Sequence, residues 1–301
     1  MRRADGRARR VDEIRAAIAE ARRADPESGP WLDLLDAAVA ETETGRPWHD
    51  VPRTPATDRP ADAPLLHGLR FEVDVAAARR WVRRLLDRAH GTARVAASAA
   101  RRLDVAAWLE AALRMDDDRI EALARAAGTD PATARVLGHM AAWPLLHRSA
   151  RALEPHAPHG WWHGVCPVCG AWPAYAEYRG LERRRWCRCG RCGTGWEIPW
   201  LRCPYCATGD HERLGYLAPE NEGESHRRVE VCYACRGYLK AFTTVRPTPA
   251  WAVLLEDART LHLDLAALDR GYRRPERPRT VLDVRVVARR RAWRPRFPSR
   301  R

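Results

Sequence analysis

Apolar residues recur at helical spacing through the first 155 residues, and this pattern predicts six helices. The third, from Val73 to Ala89, has apolar residues on one face and arginines on the other. The last begins at Asp130, a suitable cap before a proline, and passes Pro144, a predicted kink, toward Leu153. The other four are predicted from Val11 to Asp25, from Trp31 to about Gly45, from Val105 to Leu113 and from Ile120 to Ala127.

The pattern breaks down at two places. Five prolines interrupt a polar stretch from Pro47 to Pro64, which predicts an irregular surface loop. From Gly160 onward, short segments rich in glycine, tryptophan, tyrosine and arginine replace the helical periodicity, as is typical of small antiparallel strands. Units of this size bury too little apolar surface to fold alone, so we expect a bound metal to supply much of their folding free energy.

Eight of the nine cysteines form four Cys-x-x-Cys pairs in this second part of the chain. Two residues between the cysteines let a tight turn direct both sulfur atoms at one ion, which supplies half of a tetrahedral site. Four such pairs therefore predict two metal sites. The pairs are Cys166 and Cys169, Cys189 and Cys192, Cys203 and Cys206, and Cys232 and Cys235.

The spacing favours pairing in chain order, because 19 residues separate the first pair from the second and 25 separate the third from the fourth. Each gap has room for a short hairpin that brings its two turns together. The first predicted site is Cys166, Cys169, Cys189 and Cys192, and the second is Cys203, Cys206, Cys232 and Cys235. Because protein fills all four positions, neither site leaves room for a substrate or an activated water. We assign no catalytic residues and expect no enzymatic activity.

Other uses of the cysteines fit the sequence less well. A disulfide framework is typical of secreted chains with an even number of cysteines, whereas this chain has nine. A thioredoxin-like pair opens a helix after a strand, and none of the four pairs has that context. Cys187, two residues before Cys189, is interpreted as a spare thiol near the first site, with ligand replacement or an iron–sulfur cluster as the alternatives.

The formal net charge of +14 argues only weakly for a polyanionic partner, because almost every basic residue is arginine and Lys240 is the single lysine. Arg2-Arg3 and Arg9-Arg10 invite comparison with a twin-arginine export signal, but a charged stretch follows them. No apolar run of about 18 residues occurs, so we predict no membrane insertion and a cytoplasmic protein.

Two sets of polar residues have unremarkable alternatives to a functional role. His139 and His147 lie eight positions apart on one predicted helix and are interpreted as packing or solvated groups. Four arginines either offset the negative charge of a four-thiolate site or form a solvated strand end. They are Arg184, Arg185, Arg188 and Arg191.

The motifs, in wording and order, resemble the formate dehydrogenase accessory protein family FdhE. They are CPVCGAWP at 166–173, CGRCGTGW at 189–196, RCPYC at 202–206 and CYACRGYLK at 232–240. The resemblance is strongest from about Gly164 to Tyr272 and extends weakly into the helical half. Where the family usually has Thr-Glu-Trp-His, this chain has Thr194, Gly195, Trp196 and Glu197. It also departs at the arginine-rich end, 273–301, interpreted as a mobile tail.

The resemblance implies a helical region joined to two rubredoxin-like modules in a cytoplasmic maturation factor. Such a factor binds the catalytic subunit of exported respiratory formate dehydrogenases. The resemblance also implies that the eight paired cysteines bind iron in two mononuclear four-cysteine sites. Zinc is possible in its place, because tetrahedral thiolate sites accept both metals.

The sequence thus predicts an α+β protein in five parts. An N-terminal all-helical domain (1–160) precedes two rubredoxin-like or zinc-ribbon-like modules with short antiparallel strands (161–200 and 201–245), a C-terminal helix (246–272) and a basic tail (273–301). The leading hypothesis is the non-enzymatic maturation factor. A rubredoxin-like electron-transfer protein is one alternative. The other is a zinc-ribbon protein that binds nucleic acid, an unexpected partner, through Arg183, Arg184, Arg185, Trp186, Trp196, Trp200 and Tyr205.

Overall fold

Amphipathic helices of the first half bury their apolar faces around one long helix, α6. The computed structural model describes residues 2–89, 102–218, 226–276, 278 and 282–289. Helices α2 to α5 all contact α6, and Trp81 of α3 donates a hydrogen bond to the Ala141 carbonyl of α6 at 3.1 Å. The helices are α1 (Arg2–Ala24), α2 (Gly29–Glu43), α3 (Val75–Ala89), α4 (Val105–Arg114), α5 (Asp117–Ala127) and α6 (Pro131–Leu153).

Four of these helices begin at an aspartate. The carboxylates of Asp74, Asp104, Asp116 and Asp130 each accept a backbone N–H three residues later, at 3.0, 3.1, 3.0 and 2.7 Å. These bonds satisfy N–H groups that have no partner within the helix. The predicted helix start at Asp130 is therefore confirmed. Helix α5 ends at Gly128, whose φ of 72° is the left-handed conformation that glycine adopts without strain.

The first half also contains a strand. β1 (Leu69–Val73) pairs in parallel with β8 (Val284–Ala288), and Phe71 and Val73 are fully buried. The strand corrects the expectation of an all-helical domain, because the segment before α3 alternates in burial and completes the core. β8 likewise corrects the expectation of a mobile tail. Of that tail, 277, 279–281 and 290–301 lie outside the described residues.

Six strands of the second half form one sheet. Within each module the neighbouring strands are antiparallel, as predicted, and a parallel pairing of β2 with β7 joins the two modules. The order across the sheet is β4-β3-β2-β7-β6-β5. The strands are β2 (Tyr175–Arg179), β3 (Arg184–Arg188), β4 (Gly195–Glu197), β5 (Leu214–Leu217), β6 (Arg227–Cys232) and β7 (Tyr238–Thr244).

The two modules repeat one arrangement along the chain. Each consists of a cysteine turn, two strands, a second cysteine turn and a third strand. β5 is therefore the counterpart of β2, β6 of β3, and β7 of β4. Because β2 pairs with β7, the modules are joined head to tail.

Two short helices follow the sheet where one helix is predicted. α7 (Val253–Arg259) and α8 (Leu261–Asp269) are separated at Thr260, whose hydroxyl bonds back to the Glu256 carbonyl at 2.8 Å. Leu263 and Ala267 of α8 pack against the second module. These helices cover one face of the sheet.

The helical half and the first module share one apolar core. The N–H groups of Leu65 and Leu66 donate to the carbonyls of Pro167 and Val168 at 2.7 and 3.0 Å, so the proline-rich segment binds directly to the first cysteine turn. The domain boundaries at 160, 200 and 245 stay predictions. No helix in the described ranges combines the length and apolar character that a membrane span requires.

Candidate metal centres

All four cysteine turns have the same backbone geometry. The N–H of each first cysteine donates to the carbonyl five residues later, at 2.8 or 2.9 Å. The residue four positions after that cysteine is left-handed in every turn, with φ of 72° at Gly170, 75° at Gly193, 63° at Ala207 and 57° at Arg236. Glycine suits this conformation, whereas alanine and arginine are strained there.

The structure brings together the two groups of four cysteines that the spacing predicts. Within each group all four Sγ atoms lie within 4.8 Å of one another. In the first group Cys166 is 3.5 Å from Cys192, and Cys169 is 3.5 Å from Cys189. In the second, Cys203 lies 3.7 Å from Cys235, and Cys206 lies 3.7 Å from Cys232.

These distances fit a four-coordinate metal ion. A tetrahedron with metal–sulfur bonds of about 2.3 Å places its sulfur atoms about 3.8 Å apart. A disulfide requires about 2.05 Å, so none of these pairs is bridged. The donor set of four thiols suits iron or zinc, and the sulfur geometry does not distinguish them.

The two centres differ in exposure to solvent. All four cysteines of the first centre are buried, whereas Cys206 and Cys235 of the second are exposed. The first centre lies between the helical half and the sheet, and the second lies near the sheet edge. Solvent and a partner protein therefore reach the second centre more easily.

The buried thiols of the first centre influence one another. Burial, followed by the neighbouring thiols, raises the pKa of Cys166 well above its usual value. Hydrogen bonds from the three neighbouring thiols, with a smaller contribution from Arg191, lower the pKa of Cys169. Four thiolates confined in this space repel one another, so a cation is needed for all four to ionise.

Three of the four arginines considered as charge compensation interact with carboxylates of the protein. Arg184 pairs with Glu197, Arg185 with Glu230, and Arg188 with Glu177. Arg191 is the exception, because it donates to the Ala112 carbonyl and affects the pKa of Cys169. Of the four arginines considered as charge compensation, Arg191 is the one that the geometry supports.

Cys187 belongs to neither group. It is fully buried on the central part of β3, opposite Ala176 on one side and Trp196 on the other. Burial raises the pKa of its thiol to about 12, so it stays protonated at neutral pH. The interpretation as a spare thiol fits this position.

The residues that replace the family's usual run after the second turn have structural contacts. The Thr194 hydroxyl lies 3.1 Å from the Cys192 sulfur, and the Trp196 indole donates to the His163 carbonyl at 3.2 Å. Sequence reasoning missed the contact of Thr194 with the first centre, because a threonine after a cysteine turn carries no distinctive signal.

The two helical histidines have surroundings that differ from each other. His147 is buried and stacks on Trp143 with ring centroids 4.0 Å apart, and burial lowers its pKa to about 3. His139 is half-buried, with Nε2 3.9 Å from an Asp117 oxygen. Packing accounts for His147, as the sequence indicates.

The residues that would support nucleic-acid binding are largely occupied. Trp196 is buried, Arg179 lies over the ring of Trp186, and the Tyr205 hydroxyl bonds to the Tyr238 carbonyl. Trp200 is half exposed, and its indole N–H donates to the Arg183 carbonyl at 2.8 Å. Among these aromatic residues Trp200 is the exposed one, and Arg184 and Arg185 already pair with glutamates.

The protein combines a helical region with a sheet that carries two four-cysteine centres. This arrangement defines a class of proteins with two rubredoxin-like cysteine modules. The crystal structure of the FdhE protein from Pseudomonas aeruginosa has this fold: it matches with a TM-score of 0.58 and 21% sequence identity, covering 89% of this chain and 93% of that chain. The resemblance predicted from the motifs is thereby confirmed for the fold. No protein-family model matches the sequence, and no curated protein matches it.

Proposed function

We propose that this chain is a non-enzymatic maturation factor. It binds the catalytic subunit of an exported respiratory formate dehydrogenase in the cytoplasm before export. The single observation that carries the proposal is the presence of two complete four-cysteine centres in an FdhE-like fold. The motif wording around all four turns adds support, because the centres and the motifs coincide.

The metal centres have a mainly structural role in this proposal. Cys166, Cys169, Cys189 and Cys192 would hold one ion, and Cys203, Cys206, Cys232 and Cys235 would hold the other. Iron is the proposed metal, and a thiolate-bound iron ion supplies a one-electron couple, whereas zinc would supply only structure. The cysteines fix the turns, and the turns fix the ends of the strands.

The test uses the purified metal-loaded chain and a purified formate dehydrogenase catalytic subunit. We expect a complex by size-exclusion chromatography with light scattering, and its loss in the Cys166→Ser, Cys203→Ser double variant. Cys187→Ser is the matched control, because it removes a buried thiol outside both centres. A wild-type chain that does not associate would contradict the proposal, as would full association by an unfolded double variant.

Electron transfer is a second candidate function, favoured by the exposure of Cys206 and Cys235. A partner can approach the second centre closely through these sulfur atoms. If the function is electron transfer, the second centre of the iron-loaded chain shows a reversible one-electron couple. That couple disappears in Cys206→Ser, while the couple of the first centre remains. A zinc-loaded chain that supports maturation equally well would exclude this role.

A further inference from the structure

The six-stranded sheet ends at β5, and in the described ranges no strand pairs with its outer side. The carbonyl of Arg213, the residue just before β5, accepts a hydrogen bond from the N–H of Tyr233 at 2.9 Å. Residues of antiparallel strands alternate between bonded and non-bonded pairs, so the N–H and C=O groups of Leu214 and Tyr216 point away from β6. This outer edge offers backbone donors and acceptors to an extended chain.

The molecule itself contains an example of how such an edge is used. β2 is the counterpart of β5 in the repeated module, and its corresponding edge pairs in parallel with β7 from Tyr175↔Lys240 to Arg179↔Thr244. A strand added to β5 in the same orientation would continue the head-to-tail order of the sheet. The repeat therefore defines both the edge and the direction of the incoming strand.

A cavity of about 220 Å³ opens on the face of the sheet beside this edge. Its walls include Tyr178 and Tyr216, and Tyr216 is 63% exposed. Trp200 and Leu201 at its margin are also exposed. Exposed tyrosine and tryptophan around a small cavity are typical of the centre of a protein interface.

Among the described residues, the positive charge of Arg228 at the cavity is not neutralised by a carboxylate. Arg228 lies 4.3 Å from the ring centroid of Tyr178 and 5.6 Å from that of Tyr216. Glu230, the acidic residue that lines the cavity, already pairs with Arg185 and accepts the Tyr178 hydroxyl. Within the part of the chain that the structure describes, Arg228 forms no ion pair, so its guanidinium can bind an incoming carboxylate.

From this geometry we infer that the outer edge of β5 and the adjoining Tyr216–Arg228 cavity bind an extended acidic segment of the partner protein by strand addition. The inference rests on the proposed function and assigns the surface that contacts the catalytic subunit. The partner's backbone pairs with β5, while an acidic side chain reaches Arg228 and neighbouring apolar atoms cover Tyr216.

A protein segment fits this surface better than a nucleic acid does. Strand addition uses backbone N–H and C=O groups, which nucleic acid lacks. A nucleic-acid site needs several phosphate contacts, whereas other arginines of this sheet, such as Arg184 and Arg185, already pair with glutamates.

The experiment compares binding of the purified catalytic subunit to the metal-loaded wild-type chain and two variants. Arg228→Gln removes the free guanidinium, and Tyr216→Thr removes the exposed ring while keeping a strand-forming residue. We expect each variant to bind at least about tenfold more weakly. Arg184→Gln is the matched control, because it removes the same charge from the opposite face of the same sheet, and we expect its affinity to stay within about twofold of wild type.

Hydrogen exchange in the wild-type complex tests strand addition directly. We expect amide exchange in the peptide containing Leu214 to Leu217 to slow by about tenfold or more when the catalytic subunit binds. Normal binding by both folded variants, or unchanged exchange of β5 in a complex that forms, would overturn this surface and leave the proposed function intact. Failure of the wild-type chain to bind contradicts the proposed function itself. Salt-sensitive binding of single-stranded RNA that Arg228→Gln abolishes, without protection of β5, would assign the surface to nucleic acid.

Discussion

Gly164 packs directly against Pro204, so the segment entering the first metal centre touches the first cysteine turn of the second. A Cβ atom at Gly164 would lie 1.6 Å from the Pro204 carbonyl oxygen. The atom it would meet belongs to the backbone, so the contact cannot be relieved by rotating a side chain. The two centres are therefore held together by a backbone contact that only glycine permits.

We predict that Gly164→Ala lowers the free energy of unfolding by about 2 to 3 kcal/mol or more, because it forces the two turns apart. Urea unfolding of the metal-loaded chain measures the change. Gly29→Ala serves as the control, since nothing lies within 4 Å of the added Cβ there. Equal free energies of unfolding for the two variants would show that the turns can separate without loss of stability, which contradicts the prediction.

The left-handed positions of the turns predict opposite effects of exchanging glycine and alanine. Ala207→Gly relieves a strained φ of 63° and should stabilise the second centre by up to about 1 kcal/mol. Gly193→Ala should destabilise the first centre by about 2 kcal/mol, because its Cβ would also lie 2.5 Å from that of Ala250. Thermal unfolding with metal in excess tests both. If Ala207→Gly is destabilising, the added conformational entropy of the unfolded chain outweighs the relief of backbone strain, which contradicts the prediction.

The exposure of Cys206 and Cys235 predicts that the second centre loses its metal first. A chelator reaches exposed sulfur atoms directly, whereas the first centre must open before its ligands dissociate. During titration with a chelator, native mass spectrometry should show an intermediate with one ion per chain. Alkylation of that intermediate should modify Cys206 and Cys235 and spare the first centre. Simultaneous loss of both ions would contradict the prediction.

Lys240 is the single lysine of the chain and is fully buried. Its ammonium lies 2.7 Å from carboxylate oxygens of both Asp257 and Asp264, and thus ties β7 to α7 and α8. Removing one partner of a buried ion pair leaves uncompensated charge, so Lys240→Met should lower stability by about 3 kcal/mol. The exposed pair of Arg184 and Glu197 provides the control, and Arg184→Gln should cost less than about 1 kcal/mol.

The burial of Lys240 also allows unfolding of the second module to be measured by amine labelling. An amine-reactive reagent should leave Lys240 unmodified in the folded chain and label it once the second module unfolds. Peptide mass spectrometry then reports unfolding at one residue. A rapid reaction of Lys240 in the native chain would contradict its position between sheet and helices.

His49 predicts a loss of stability at acid pH. Burial lowers its pKa from 6.5 to about 4, although its Nδ1 contacts the Asp50 carbonyl at 2.6 Å. Between these values the unfolded chain binds the proton and the folded chain does not. The contribution of His49 to stability is therefore complete above pH 6.5 and falls by about 1.4 kcal/mol per pH unit toward pH 4. His49→Asn should show a smaller loss between pH 6.5 and 5 in urea unfolding. Parallel curves for the two proteins would exclude His49 as a source of the pH dependence.

The local features of this protein follow from its sequence. Each cysteine turn closes over five or six residues, so the motif determines its geometry, and hairpin-sized gaps determine which turns meet. The aspartate caps and the helical periodicity have the same local origin. The left-handed position of each turn is recognisable from the sequence in the first centre, where it is glycine. In the second centre Ala207 and Arg236 adopt the same conformation, which their residue type does not indicate.

The long-range pairings were decided only by the tertiary structure. From the sequence alone, Leu69–Val73 resembles a segment leading into a helix. It is a strand because it pairs with β8, more than 200 residues later in the chain. The β2 and β7 pairing that merges the modules, and the burial of Lys240 between two aspartates, likewise depend on segments distant in the chain. Sequence patterns report which face of a segment is apolar. They do not report which other segment covers that face, because that choice depends on packing and charge across the whole molecule.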